Sequence, residues 1–158
     1  MKEAALRKTL TVAAQFTLGG LVYCGIEVLY RGYTHQSMLA AGGFCFVLLC
    51  LLARSQAGLL TGAAIGGLAV TAVELAAGLI VNVWLGLGVW DYSARPFNLW
   101  GQICLTYTLA WCLLSGLVIL FARMIRGAAM LYIERAEKHA VLAKSAAVTA
   151  RTGRNRIS

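Results

Sequence analysis

The apolar residues of this chain come in runs long enough to cross a bilayer, and no other feature restricts its fold as strongly. A spanning helix needs about 20 mostly apolar residues, because backbone N–H and C=O groups in hydrocarbon must find partners inside the segment. Four stretches meet this: about 10–30, 37–53, 58–85 and 100–121, the second being the shortest. The chain is 60% hydrophobic and 13% charged, against about 45–50% and about 25% in soluble domains. An ordinary soluble domain and a disordered chain are both excluded on these grounds. The expected fold is all-α: a polytopic membrane protein with four transmembrane helices in residues 1–123 and a basic helical extension over 124–158.

Charge then orients the helices. The net charge is +8, and Lys and Arg hold loops on the cytoplasmic side. With the N-terminus cytoplasmic, Lys2, Arg7, Lys8, Arg54 and every basic residue from Arg123 onward lie inside, and only Arg31 and Arg95 lie outside. That division is twelve against two. An even number of spans with both termini cytoplasmic is consistent with it, and an odd number is not. The location expected is the inner (cytoplasmic) membrane. No nucleic-acid motif accompanies the positive charge, so no nucleic-acid partner is expected. The basic start and the apolar stretch after it lack a small-x-small cleavage site, so a retained helix is expected rather than a signal peptide. Cys24, Cys45, Cys50, Cys104 and Cys112 all fall in apolar runs without a C-x-x-C pair. They read as free, buried thiols, and neither a disulfide framework nor a metal site is expected.

Gly58, Gly62 and Gly66 recur every four residues on the third span. Such a small-residue face lets helix backbones approach closely in lipid, either within one bundle or between subunits. Four short helices hardly enclose a wide path, so a homo-oligomer is expected. Residues 124–150 read as an alanine-rich helix with Glu134 and Lys138 at i, i+4. This helix either extends the fourth span into the cytoplasm or lies along the inner leaflet. Arg151 to Ser158 reads as a frayed basic end. It serves as an orientation signal or binds anionic headgroups, which makes membrane lipids expected partners.

Ionisable groups inside a span are costly and face protein or water. Glu27 lies near the end of the first span with Arg31 one turn later, and His35 follows in the outer loop. Glu74 lies about 24 Å along the third span, counting about 1.5 Å per residue from Gly58. That is close to the depth of Glu27, so two carboxylates, one guanidinium and one imidazole are expected near one level. Glu74 must pair, face water or stay protonated, and Arg31 is the obvious partner for Glu27, Glu74 or both. Asn82 follows two turns later on roughly the same side. The next loop is dense in Trp84, Trp90, Asp91, Tyr92, Arg95, Pro96, Asn98, Trp100 and Gln102. An aromatic belt explains Tyr30, Trp84 and Trp100. It does not explain Asp91 and Asn98, which are expected to satisfy backbone groups in an ordered outer lid.

These residues carry a resemblance. Glu27-x-x-Tyr30-Arg31-Gly32-x-x-His35-x-Ser37-Met38 comes first, and Glu74-x-x-x-Gly78 follows. Trp90-Asp91-Tyr92-Ser93-x-x-Pro96-Phe97-Asn98-x-x-Gly101 completes the set. Together they resemble the bacterial family called putative ABC-transporter type IV, or CmpB-like membrane proteins, over about residues 20–122. Gln36 departs from the aromatic residue expected at its position, and the tail after Arg123 carries no recognised counterpart. The resemblance implies a permease. The chain has no G-x-x-x-x-G-K-[ST] phosphate loop, so ATP hydrolysis by that route requires a separate ATPase subunit.

Three functions remain open at this point. In a small transporter or channel, the candidates for binding an ion or small solute are Glu27, Arg31, His35, Glu74, Asn82, Asp91, Tyr92 and Asn98. Its weak point is the inner half, where Gln15, Thr17, Thr61 and Thr71 are the notable polar residues of the first and third spans. An intramembrane enzyme would use His35 as general acid or base, with Arg31 holding phosphate or carboxylate. No catalytic motif supports this, so neither catalysis nor a cofactor is expected. A lipid-binding or structural membrane protein would use the charge cluster only to fix helix packing.

Overall fold

Four helices follow in chain order: α1 Lys2–Arg31, α2 Gln36–Leu52, α3 Leu59–Gly78 and α4 Leu105–Arg154. In the computed structural model, residues 2–154 are described, with side chains through 142. Part of the expected frayed end, 155–158, lies outside the described residues. The chain divides into two units, Met1–Ala122 and Arg123–Ser158. Within the second, Glu134 and Lys138 form the expected i, i+4 ion pair at 2.8 Å.

Three helical stretches, Lys2–Arg31, Leu59–Trp84 and Leu105–Leu142, are long and apolar enough to cross a membrane. α2 has 17 residues, or about 26 Å at 1.5 Å per residue, slightly less than a hydrocarbon core of about 30 Å. Large apolar side chains cover the outside of the bundle, as Leu60 at 87% and Leu113 at 69% exposure illustrate. Patches of that kind mark membrane or protein–protein contact surfaces. The chain is a multi-pass membrane protein.

Two helix boundaries differ from the sequence reading. The third span does not remain α-helical to residue 85. It ends in a π-helical turn, Leu79–Trp84, where Leu85 N–H reaches back five residues to the Ile80 carbonyl at 2.9 Å. The fourth span starts at Leu105 and not near Trp100. Trp100 and Gly101 have φ of +52° and +69°, a conformation no right-handed helix accepts. They form a turn closed by Gln102 N–H on the Leu99 carbonyl at 3.0 Å. The turn joins two short antiparallel strands, β1 Asn98–Leu99 and β2 Ile103–Cys104, in which Leu99 pairs with Ile103.

Glycine sets the spacing between helices. A Cβ on Gly20 of α1 would stand 2.5 Å from the Leu39 carbonyl oxygen of α2. On Gly67 of α3 it would stand 2.6 Å from the Cys112 backbone of α4. Of the glycines spaced every four residues, Gly66 packs on Leu49 and Ser115, Gly62 faces Ile119, and Gly58 meets only Thr61 of its own helix. The stripe therefore serves packing within the chain at Gly62 and Gly66. Two apolar clusters result. One holds Leu49, Ala53, Val70 and Ile119; the other, beneath the loop, holds Met38, Val81, Val89 and Trp90.

Candidate functional site

The loop between α3 and α4 folds over one end of the bundle and brings the polar residues together. Its order comes from side chains that satisfy backbone groups, as expected for Asp91 and Asn98. Asp91 Oδ1 accepts from Ser93 N–H at 2.8 Å and from Ser93 Oγ at 2.5 Å. These bonds favour the charged form and hold the exposed Asp91 carboxyl below the usual carboxylate range. Asn98 Nδ2 donates to the Ser93 and Arg95 carbonyls, and its Oδ1 accepts from Gly101 N–H at 3.1 Å. Gly101 closes the fold. A Cβ there would meet Ser93 Oγ at 2.6 Å and Asp91 Oδ1 at 2.7 Å.

Asn82 anchors this loop to α3. Its Oδ1 accepts from Val89 N–H at 2.7 Å, and its Nδ2 donates to the Trp90 carbonyl at 3.0 Å and to Gln102 Oε1 at 2.8 Å. It sits in the π-helical turn that ends the third span. Trp90 goes down into the bundle, with its indole N–H on the Gln102 carbonyl at 3.0 Å. A buried indole finds a partner in this way.

Beneath the loop, Glu74 is 8% exposed. Its two carboxylate oxygens accept from two neutral donors. The Tyr92 hydroxyl donates to Oε1 at 2.9 Å, and the Trp111 indole N–H donates to Oε2 at 2.9 Å. Burial and the neighbouring carboxylate raise the Tyr92 phenol above its ordinary range, so it stays a donor. The Tyr92 ring stacks on Tyr107, with centroids 4.6 Å apart.

Arg31 pairs with Glu27, not with Glu74. Its Nη2 lies 2.7 Å from Glu27 Oε1, with side-chain exposures of 19% and 12%. Its Nη1 donates to the Val89 carbonyl at 2.9 Å, and Glu27 Oε2 accepts from Thr34 Oγ1 at 2.8 Å. The guanidinium carbon lies 4.7 Å from the Tyr33 ring centroid. The link between α1 and α2 turns at Gly32, where φ is +79°. His35 then caps α2: its Nδ1 accepts from Ser37 N–H at 3.3 Å and lies 2.8 Å from Ser37 Oγ.

Glu27, Arg31 and Glu74 line one cavity of about 30 Å³, together with Tyr23, Trp90, Tyr92 and Trp111. A volume of that size has room for a water molecule or two. Of the eight candidates, Glu27, Arg31, Glu74 and Tyr92 meet here. His35, Asn82, Asp91 and Asn98 hold a helix end or the loop instead. Tyr23 and Trp111 were not among the sequence candidates because each sits inside an apolar run and reads as part of it. The available signal was a Trp in mid-span, whose N–H needs a partner once buried.

A family model described as Putative ABC-transporter type IV matches residues 17–150. The match extends past Arg123 into the tail, which carried no recognised counterpart in the sequence reading. No curated protein matches the chain. No solved structure matches it.

Proposed function

We propose a function from one premise: the chain belongs to the family described as Putative ABC-transporter type IV. That family suggests a transporter-related membrane protein with an ATPase as a possible partner. Our finer reading is a permease-like subunit whose polar cavity binds a cation. One observation carries it: two carboxylates and a single guanidinium, Glu27, Glu74 and Arg31, line one small cavity. Arg31 already faces Glu27. With all three groups ionised, one negative charge remains at Glu74, and a buried charge needs a partner. A cation, or a proton in exchange for it, supplies one.

The rest of the reading follows the charge pattern. Both termini lie in the cytoplasm, the membrane is the inner one, and the Asp91 loop faces outward. The unit is non-enzymatic, contacts membrane lipids through its apolar surface and works as a homo-oligomer beside a separate ATPase subunit. The first 123 residues form the transmembrane domain, and 124–158 are its basic extension.

The test is a titration of purified protein in neutral detergent, following the fluorescence of the cavity tryptophans. Sodium and potassium chloride are compared with N-methylglucamine chloride at constant ionic strength. A saturable response to the small cations, lost in Glu74→Gln with the melting transition retained, supports the reading. A flat response from folded wild type refutes it and leaves the cluster a structural device.

A further inference from the structure

A second cavity lies in the same bundle, apart from the polar one. It is a cleft of about 100 Å³ between α1, α2 and α4, lined by Val22, Ile26, Phe46, Leu114 and Val118. None of its lining residues among those described is charged. Gly19 and Gly42 also line it, and a Cβ on Gly19 would stand 2.9 Å from the Gly42 carbonyl oxygen. The close crossing of α1 and α2 therefore gives the cleft a floor with no side chain to fill it. Toward the polar cavity stand Tyr23 and Trp111, with ring centroids 5.8 Å apart and the indole N–H on Glu74. The two rings wall the cleft off from the carboxylate.

The cleft opens on the outside of the bundle, since Val22 and Ile26 line it and are 50% and 44% exposed. Its depth follows from both walls. On α1 it runs from Gly19 to Ile26, about 8–18 Å before the helix end at Arg31, at about 1.5 Å per residue. On α4 it runs from Trp111 to Val118, about 9–20 Å after the start at Leu105. The two helices agree on one level, the middle of a hydrocarbon core of about 30 Å. Water and lipid headgroups are absent at that depth, and the medium there is the lower part of acyl chains.

We infer that the cleft is a binding site for the end of one acyl chain of a membrane lipid, which enters between Val22 and Ile26 and lies against Trp111. An apolar cavity of about 150 Å³ admits a benzene ring, so this smaller one takes a short run of methylenes. The hydrophobic effect contributes nothing, because the chain passes from one hydrocarbon surrounding to another. The gain is dispersion: the walls of an unfilled void lose their contact atoms, and a chain end restores them. The site is independent of the cation reading and lies on the other side of the Tyr23 and Trp111 rings.

The experiment reads Trp111, which lines the cleft. The full chain is reconstituted in dioleoylphosphatidylcholine vesicles containing a phosphatidylcholine brominated either near the chain end or near the ester. Bromine quenches indole fluorescence at short range, and the share due to Trp111 is the difference between each protein and its Trp111→Phe counterpart. Chain-end bromine is expected to quench Trp111 more than bromine near the ester. Val118→Phe and, separately, Val22→Phe place a ring in the cleft from α4 and from α1, and each is expected to lose the Trp111 share. Leu60→Phe, at an 87% exposed position of α3 outside the cleft, is expected to keep it. Circular dichroism and melting establish which variants are folded, and either filling variant alone suffices. An undiminished Trp111 share in a folded filling variant overturns the inference, because ordinary boundary lipid then does the quenching. Equal quenching by the two bromine positions overturns it too. No quenching of Trp111 in folded wild type also overturns it, and protein then covers the cleft, a second copy of the chain included.

Discussion

Replacing Tyr92 with Phe removes one oxygen from the cavity and leaves the ring stacked on Tyr107. The lost bond is the 2.9 Å donation to Glu74 Oε1, and hydrogen bonds to charged groups are worth about 1.5–3 kcal/mol. The carboxylate keeps Trp111 as its second donor. Tyr92→Phe should therefore destabilise the fold by about 2 kcal/mol if Glu74 is ionised. In a Glu74→Gln background the same bond joins two neutral groups and is worth about 1 kcal/mol. A double-mutant cycle should thus return a coupling of about 1 kcal/mol. The assay is unfolding in mixed micelles of neutral detergent and dodecyl sulfate, followed by tryptophan fluorescence. A Tyr92→Phe protein as stable as wild type in both backgrounds would refute the idea that neutral donors hold Glu74 in place.

Three further outcomes follow from the same geometry. Gly67→Ala places a methyl 2.6 Å from the Cys112 backbone; it should destabilise by about 1–3 kcal/mol through forced separation of α3 and α4, and an unchanged melting curve would contradict that packing. His35→Ala removes the α2 cap and should cost about 1 kcal/mol, while leaving cation affinity unchanged in the titration; a lost affinity would move His35 into the site. Asp91 titrates below its ordinary value of about 3.9 in the folded loop. Its contribution to loop order is present above that ordinary value and disappears as pH falls through the lowered one, so loop amide protection, corrected for the intrinsic pH dependence of exchange, should fall on acidification, and Asp91→Asn should lack that fall.

The polar residues show how far a sequence can be read. Glu27 and Arg31 were legible as a pair because four residues make one helical turn, and the 2.7 Å contact needs no tertiary information. Asp91 and Asn98 were legible as loop anchors because their short side chains bond nearby backbone in turns. The partner of Glu74 was not legible. Tyr92 and Trp111 are 18 and 37 residues away, and no local periodicity connects them. The depth argument placed Glu74 near Arg31 but could not choose between a guanidinium and two neutral donors.

Hydrophobic run length by itself determined a four-helix, multi-pass membrane protein, because the bilayer leaves the backbone no other arrangement. The motifs around Glu27, Glu74 and Trp90 to Gly101 together pointed to the family. Only the tertiary structure decided where α3 and α4 end and begin. The π-helical turn at Leu79–Trp84 and the positive φ at Trp100 and Gly101 depend on Asn82, Gln102 and Asp91 finding partners across the loop. Only the tertiary structure brought Glu27, Arg31 and Glu74 to one cavity. The physical reason is the same in each case: run length and helical spacing are local properties of the chain, whereas the pairing of a buried polar group is settled by whichever helix packs against it.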